Sequence, residues 1–220
     1  MTAAIVLAGG RSRRFGADKL AATLGDGRSV LAHSLASAAA VATEVVLVLA
    51  PGVPAPAGLG SAVAIVHDPE ADGGPLVGLL TGLEATSDEV VLVIGGDMPA
   101  VEPAVLRLLV KEVRDEPAVE AARLEVRHAG EADGVGDRAG RTAPPDIVPL
   151  PCAVRRESAR QACREALAAG DRRLRGCLQR LATAVVADGE WRGLDPTGRT
   201  LLDIDRPGDL AVAEGRVEPG

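Results

Sequence analysis

The sequence predicts an α/β protein with a mostly parallel, doubly wound sheet. Short apolar runs of the length of buried strands alternate along its 220 residues with stretches whose apolar residues recur at helical spacing. Several of these runs end in glycine or proline, which is typical of strands that lead into short loops. Strands that alternate with helices usually pair in parallel, so the two observations together favour an open α/β sheet.

Four strands are predicted in the first half of the chain, at residues 3–8, 44–49, 62–66 and 89–94. The helices between and after them have recognisable starts. Ser29 suits the N-cap of the first helix, and Pro75 suits the first turn of a helix at residues 76–85. Pro103 begins a third helix that is expected to run to about residue 114.

The second half is predicted to contain a strand at 146–154, helices at 156–168 and 172–181, strands at 183–187 and 199–204, and a short last helix from Pro207. Residues 127–145 hold four glycines and two prolines among charged residues, a composition that predicts a flexible insert. There is no internal repeat and no second apolar core. Residues 1–220 are therefore expected to form a single domain.

The composition excludes several classes of protein. Hydrophobic residues make up 47% of the chain and charged residues 25%, and no apolar run approaches the roughly 18 residues of a membrane span. The net charge of −7 disfavours nucleic acid as a partner, because surfaces that bind nucleic acid are usually basic. Cys152, Cys163 and Cys177 lack metal-binding spacing and are expected to be reduced thiols of a cytoplasmic protein.

A glycine-rich loop follows the first predicted strand and concentrates positive charge. Three glycines lie between residues 9 and 16, and glycine lets backbone N–H groups close on a phosphate. Four basic residues between Arg11 and Lys19 stand in an otherwise acidic protein. The loop predicts an anionic ligand, and a surface turn with solvated arginines is the alternative interpretation of the same residues.

Aspartates follow three of the predicted strands. Asp97 comes after the fourth strand, Asp68 follows the third, and the spacing of Asp203 and Asp205 predicts both on one face of a late strand. Ligands of open α/β sheets bind where the strands end, and Mg²⁺ prefers one or two carboxylates together with phosphate oxygens. A turn-capping role explains each aspartate alone. Taken with the glycine loop, they predict one shared ligand site.

The residues from Ala8 to Lys19 read Ala-Gly-Gly-x-Ser-x-Arg-x-Gly-x-Asp-Lys. This pattern resembles the signature of the molybdenum cofactor guanylyltransferases and their nucleotidyltransferase relatives. The resemblance continues through residues 74–79, 96–99, 170–174 and 205–210, and so spans nearly the whole chain. It implies a Rossmann-like, three-layer α/β/α fold.

The resemblance also implies an activity. Enzymes of this kind condense a nucleoside triphosphate with a phosphorylated acceptor and release pyrophosphate. The expected reaction is transfer of GMP from GTP to molybdopterin with Mg²⁺ as the cofactor. Transient contacts with proteins of cofactor biosynthesis, or with proteins that accept the cofactor, are expected as well.

The resemblance further assigns three groups of site residues. The catalytic residues it implies are Arg14, Lys19 and Asp97. The metal ligands it implies are Asp97 and Asp205. The residues it implies for nucleotide binding are Leu7, Ala8, Gly9, Gly10, Lys19, Asp68 and Asp97.

The late acidic motif keeps other functions open. The guanylyltransferases usually carry a pair of asparagines where this chain has Asp203 and Asp205, and the acidic form is similar to cytidylyltransferases that act on the same cofactor. Cytidylyl transfer to molybdopterin and nucleotidyl transfer to another phosphorylated acceptor are therefore alternatives. A non-catalytic nucleotide-binding protein is the alternative from a different class.

Overall fold

The computed structural model describes residues 1–9, 18–60, 62–71, 73–127 and 145–216. Seven strands within these ranges form one sheet in the order β3-β2-β1-β4-β6-β5-β7. The strands are β1 (Ala3–Ala8), β2 (Glu44–Leu49), β3 (Val63–His67), β4 (Val90–Gly95), β5 (Ala121–Val126), β6 (Asp146–Arg155) and β7 (Thr183–Val186). The helices are α1 (Val30–Ala39), α2 (Pro75–Ala85), α3 (Pro103–Asp115), α4 (Arg156–Ala168), α5 (Leu174–Leu178), α6 (Asp188–Arg192) and α7 (Asp209–Ala213).

The sheet is mostly parallel, which confirms the predicted fold class. β1 pairs in parallel with both β2 and β4, β2 pairs in parallel with β3, and β5 with β7. β6 departs from this pattern, because it runs antiparallel to its neighbours β4 and β5. β1 to β4 consequently end at the same edge of the sheet, and this edge is called the carboxyl edge below.

Two apolar layers cover the two faces of the sheet. One contains Leu31 of α1, Leu106 of α3 and the fully buried Trp191 of α6, and the other contains Leu79 of α2 and Cys163 of α4. Consecutive residues of a strand face opposite layers, so a strand that is apolar along nearly its whole length contributes side chains to both layers. None of the helices in the described residues is long and apolar enough to cross a bilayer.

The late elements differ from the sequence prediction. Residues 199–204 were expected to form a strand, but Arg199–Leu201 is a 3₁₀ turn followed by irregular backbone. The turn forms because the Asp195 carboxylate accepts a hydrogen bond from the Thr200 N–H at 2.7 Å. β5 was not predicted, because Arg123 and Glu125 interrupt its apolar run. Most of the predicted insert, residues 128–144, lies outside the described residues.

Candidate active site

The predicted site residues meet at the carboxyl edge. A cavity of about 510 Å³ opens there, and its lining includes Leu7, Gly9, Asp68 and Asp97. The side chain of Ala8 faces the opposite layer and borders a second cavity of about 630 Å³ beside α1. Two other residues assigned to the site, Gly10 and Arg14, lie outside the described residues.

Asp97 is positioned by a tightly packed backbone after β4. The Gly96 N–H donates to the Leu7 carbonyl at 2.8 Å, and the buried Ser34 hydroxyl donates to the Gly96 carbonyl at 3.0 Å. A Cβ atom at Gly96 would lie 3.2 Å from Leu31, which is closer than side chains normally approach. The glycine therefore lets β1 and α1 pack closely around the peptide that carries Asp97.

Lys19 reaches Asp97 from a turn that follows the glycine loop. The Asp18 carboxylate accepts a hydrogen bond from the Leu20 N–H at 3.0 Å, and the Leu20 carbonyl accepts one from the Leu31 N–H at 3.1 Å. These bonds fix the turn against the start of α1. The Lys19 ammonium then lies 2.7 Å from Asp97 Oδ2 and 3.1 Å from Asp205 Oδ1.

Asp205 is brought to the same place by the segment after the 3₁₀ turn. The Ile204 N–H donates to the Asp97 carbonyl at 2.9 Å, which ties the two segments together. The Asp209 carboxylate accepts hydrogen bonds from the N–H groups of Asp205 and Arg206, at 2.8 and 2.7 Å. The segment is irregular, so the expectation that Asp203 and Asp205 share one face of a strand was wrong.

Charge is concentrated where these segments meet. Burial disfavours the Lys19 ammonium, but the hydrogen bonds and charges of Asp97 and Asp205 outweigh it and raise the pKa of Lys19. Burial of its carboxyl group, followed by repulsion from Asp97 and Asp205, raises the pKa of Asp203 to about 7, although part of this residue is exposed. Asp97, Asp203 and Asp205 are called the acidic cluster below.

The acidic cluster has the donor set of a small hard cation. Carboxylate oxygens of Asp97 and Asp205 converge on one point, since both lie within 3.1 Å of the same ammonium nitrogen. Within the described ranges, no three His, Cys, Asp or Glu side chains are arranged to hold a metal by themselves. A divalent cation held by these two carboxylates would thus take further oxygens from water or from a ligand, as Mg²⁺ usually does.

Asp68 occupies a different environment in the same cavity. Its carboxylate lies between two glycines, since a Cβ at Gly9 would be 3.2 Å from Oδ2 and one at Gly78 would be 3.3 Å from Oδ1. Oδ1 is buried and has no hydrogen-bond partner among the described residues. Burial raises the pKa of Asp68 above its ordinary value. Asp68 lines the cavity, so its carboxylate lies beside a space that has room for a ligand.

The start of α2 supplies a wall of the cavity that the site predictions missed. Gly73, Gly74 and Gly78 line the cavity, together with Leu150 of β6 and Leu174 of α5. Gly74 has a φ of +82°, a conformation that glycine adopts without strain. The run of glycines around Pro75 was a usable sequence signal for this wall. Leu150 and Leu174 are ordinary apolar residues and gave none.

The fold and the site define a class of protein. A cavity bordered by glycine backbone, with a lysine and carboxylates at the carboxyl edge of a doubly wound sheet, is the usual arrangement of α/β enzymes that bind nucleotides. Residues 4–185 match the MobA-like NTP transferase domain, which is more than half of the chain. The chain therefore belongs to the MobA-like NTP transferase family and is a nucleotidyltransferase.

Individual relatives agree with this assignment. A probable molybdenum cofactor guanylyltransferase of Chloroflexus aggregans is 32% identical over 97% of this chain and 94% of its own length. Among solved structures, molybdopterin-guanine dinucleotide biosynthesis protein A of Archaeoglobus fulgidus has a TM-score of 0.71 at 22% identity, with 98% of each chain covered. The 2-C-methyl-D-erythritol 4-phosphate cytidylyltransferase of Thermus thermophilus has a TM-score of 0.68 at 22% identity, over 97% of this chain and 98% of its own. The two structures show the fold.

Proposed function

We propose that this nucleotidyltransferase transfers GMP from GTP to molybdopterin and releases pyrophosphate. The name of the Chloroflexus relative supports the acceptor and the base, and its match covers nearly all of both chains. The unpartnered Oδ1 atom of Asp68 is the observation in the site itself that supports the base.

A buried acceptor without a donor selects ligands that bring N–H groups. The edge of guanine presents two adjacent donors, N1–H and N2–H₂, to which the two oxygens of one carboxylate can bind side by side. Cytosine presents one amino group next to the lone pair of N3, which a carboxylate would repel. Asp68 in its glycine-lined position therefore favours GTP over CTP.

The acidic cluster suits the metal that such a reaction uses. Asp97 and Asp205 would hold Mg²⁺, because each has a second carboxylate oxygen that is not used in its bond to Lys19. When bound, Mg²⁺ supplies positive charge next to the phosphate oxygens on which negative charge develops.

The chain's own groups would act mainly by position and charge. A phosphate oxygen of the acceptor attacks the α-phosphorus in line with the leaving pyrophosphate, and no general base is needed because that oxygen is already anionic. Lys19 has three N–H donors, two of which serve Asp97 and Asp205, so the third can bind a phosphate oxygen. Arg14 and the backbone of residues 7–10 complete the proposed phosphate-binding loop, of which Gly10 and Arg14 are outside the described residues.

Cytidylyl transfer to molybdopterin is the second candidate. The acidic residues at 203 and 205 favour it, because cytidylyltransferases that act on this cofactor are similar at these positions. The two candidates differ in the base, and the chemistry of the Asp68 carboxylate, which lines the cavity, separates them.

Calorimetric titration with GTP, ITP, CTP and ATP in the presence of Mg²⁺ tests the proposal. ITP lacks the N2 amino group and should bind roughly 10-fold more weakly than GTP, the effect of losing one hydrogen bond to a charged acceptor. Asp68→Asn should remove most of this GTP-over-ITP preference. Tightest binding of CTP would overturn the base assignment, and a lack of pyrophosphate release with GTP and molybdopterin would overturn the acceptor.

A further inference from the structure

We propose that Arg172 is a positioning residue that holds the Gly73–Gly74 wall of the 510 Å³ cavity and so sets the affinity for the nucleotide. The identity of that nucleotide rests on the proposed function. Arg172 itself does not line the cavity. It lies in the loop between α4 and α5 and acts on the wall from outside.

Arg172 contacts both ends of the wall. Its Nη1 atom donates to the Gly73 carbonyl at 3.1 Å and to Glu70 Oε2 at 2.9 Å. Its own carbonyl accepts a hydrogen bond from the Leu76 N–H at 3.3 Å. The Arg172 side chain therefore holds the glycine pair in place. The Arg172 carbonyl pairs with an N–H group in the first turn of α2 that has no partner within the helix.

The other backbone bonds of the wall are local: the Gly73 N–H donates to the Glu70 carbonyl at 3.4 Å, and the Val77 N–H donates to the Gly74 carbonyl at 3.2 Å. Gly74 is the N-cap of α2 and offers no capping side chain, and Pro75 has no N–H of its own. Consecutive glycines lose more conformational freedom on folding than other residues, so an external contact is needed to keep them in one conformation. A Cβ atom at Gly74 would lie 3.0 Å from the Arg172 carbonyl, which shows how closely the two segments pack.

Arg172 is itself held firmly. α4 ends at a left-handed glycine, Gly170, whose N–H donates to the Leu167 carbonyl at 2.9 Å. The Asp171 N–H donates to the Ala166 carbonyl, also at 2.9 Å, and this bond completes the end of the helix. On the other side, Leu174 is 8% exposed and packs into the apolar layer beside the cavity. The loop that carries Arg172 is therefore fixed to α4, and through Arg172 it restrains the cavity wall.

Of the two contacts of the Arg172 side chain, we expect the hydrogen bond to the Gly73 carbonyl, and not the ion pair with Glu70, to hold the cavity wall. The side chains of Arg172 and Glu70 are 51% and 58% exposed, and ion pairs at such exposure contribute little. A hydrogen bond from a charged donor to a partly buried carbonyl is stronger and directional. Lysine at position 172 would keep one donor for this carbonyl, whereas methionine would keep the length of the side chain and none of its donors.

The chain provides a matched control. Arg164 of α4 makes an ion pair with Glu84 of α2 at 2.9 Å, the same distance as the pair between Arg172 and Glu70. The side chains of Arg164 and Glu84 are both 47% exposed. Neither Arg164 nor Glu84 lines the cavity. Arg172→Met, Arg172→Lys and Arg164→Met are therefore compared with the wild-type chain.

Two measurements are made on each variant. Hydrogen exchange without nucleotide reports whether residues 73–77 open locally, and calorimetry with GTP and Mg²⁺ reports affinity. Arg172→Met should speed exchange in that segment and weaken GTP binding, each about 5- to 10-fold, while kcat for pyrophosphate release stays within about twofold. Arg172→Lys should recover most of the affinity and most of the protection from exchange, and Arg164→Met should resemble the wild type.

The outcomes separate this inference from the proposed function. Wild-type exchange and affinity in Arg172→Met would overturn the positioning role, and so would faster exchange spread over the whole chain or equal losses in Arg164→Met. Faster local exchange with unchanged GTP affinity would overturn the effect on binding. Failure of the wild-type chain to bind GTP would overturn the proposed function, while the exchange comparison still decides whether Arg172 holds the wall.

Discussion

The acidic cluster and the surroundings of Asp68, called the Asp68 pocket, lie at the same edge of one sheet. They differ in whether their carboxylates have partners within the protein. In the cluster, Asp97 and Asp205 share the Lys19 ammonium, so their charges are partly offset within the protein. Asp68 has a buried oxygen without a donor. An unpartnered buried polar group costs about 1–3 kcal/mol, and such a group is expected where a ligand supplies the missing partner. The cluster is thus suited to neutralising charge, and Asp68 to recognising a ligand.

The two regions are also assembled differently. The acidic cluster and Lys19 come from three segments that are distant in sequence. Backbone bonds such as the one from the Ile204 N–H to the Asp97 carbonyl hold the segments of the cluster together. The Asp68 pocket depends on close approach, because Gly9 and Gly78 leave room for its carboxylate. Substitutions in the cluster should therefore alter catalysis, and substitution of Asp68 should alter selectivity and stability.

The largest effect is expected for Asp97→Asn. The amide keeps the shape of the side chain but removes the charge that would hold the metal, so kcat should fall on the order of 10²-fold or more. The backbone bonds around Asp97 do not involve its side chain, so the fold should be retained. Pyrophosphate release measures the loss, and circular dichroism serves as the control for folding. A folded variant with the wild-type rate would show that the cluster has no catalytic role.

The carboxyl edge illustrates how much of the site follows from sequence. Asp68 and Asp97 were recognisable because each follows an apolar run, and parallel strands bring such positions to one edge. Lys19 was recognisable as one of only two lysines in the chain, next to a glycine loop. The mostly parallel sheet followed from the same alternation of elements. Position along the chain sufficed for these residues because the strand direction determines where they lie.

Other features depend on contacts that no local pattern reports. The hydrogen bond between Arg172 and Gly73 joins residues that are 99 positions apart. Arg172 lies in the segment 170–174, which carries part of the family resemblance, but nothing in the sequence indicates that its guanidinium contacts Gly73. The antiparallel direction of β6 is set by its neighbours in the sheet and not by its own residues. Asp195 converts the predicted last strand into a 3₁₀ turn by a hydrogen bond to Thr200, which overrides the local preference for extended backbone.

A smaller effect, on binding and turnover together, is expected for Lys19→Ala. The ammonium would contact phosphates in both the ground and the transition state, so GTP affinity and kcat should each fall roughly 10-fold. Its removal also leaves Asp97 and Asp205 without their shared counter-charge. Lys111→Ala is the control, because Lys111 is exposed and its ion pair lies within α3, at 3.3 Å from Asp115. Loss of kcat with GTP affinity unchanged would contradict the assigned contact with the ground-state phosphates.

The smallest effect is expected in the stability of Asp68→Asn, and it has a defined pH dependence. Burial raises the folded-state pKa of Asp68 above its ordinary value of 3.8, so protonation of this residue favours the folded protein. That stabilisation is present at low pH and is lost as the pH rises through the folded-state pKa. Asparagine is neutral at every pH.

The free variant should therefore melt higher than the wild type at pH 7, by roughly 1–3 °C for a partly exposed carboxylate in a chain of this size. The difference in melting temperature should shrink as the pH falls through the folded-state pKa, because wild-type Asp68 then becomes neutral as well. Thermal melts followed by circular dichroism between pH 4 and pH 8 measure this trend. A difference that widens on acidification would mean that Asp68 is stabilised as a carboxylate. Its charge would then have partners within the protein, as the charges of the acidic cluster do.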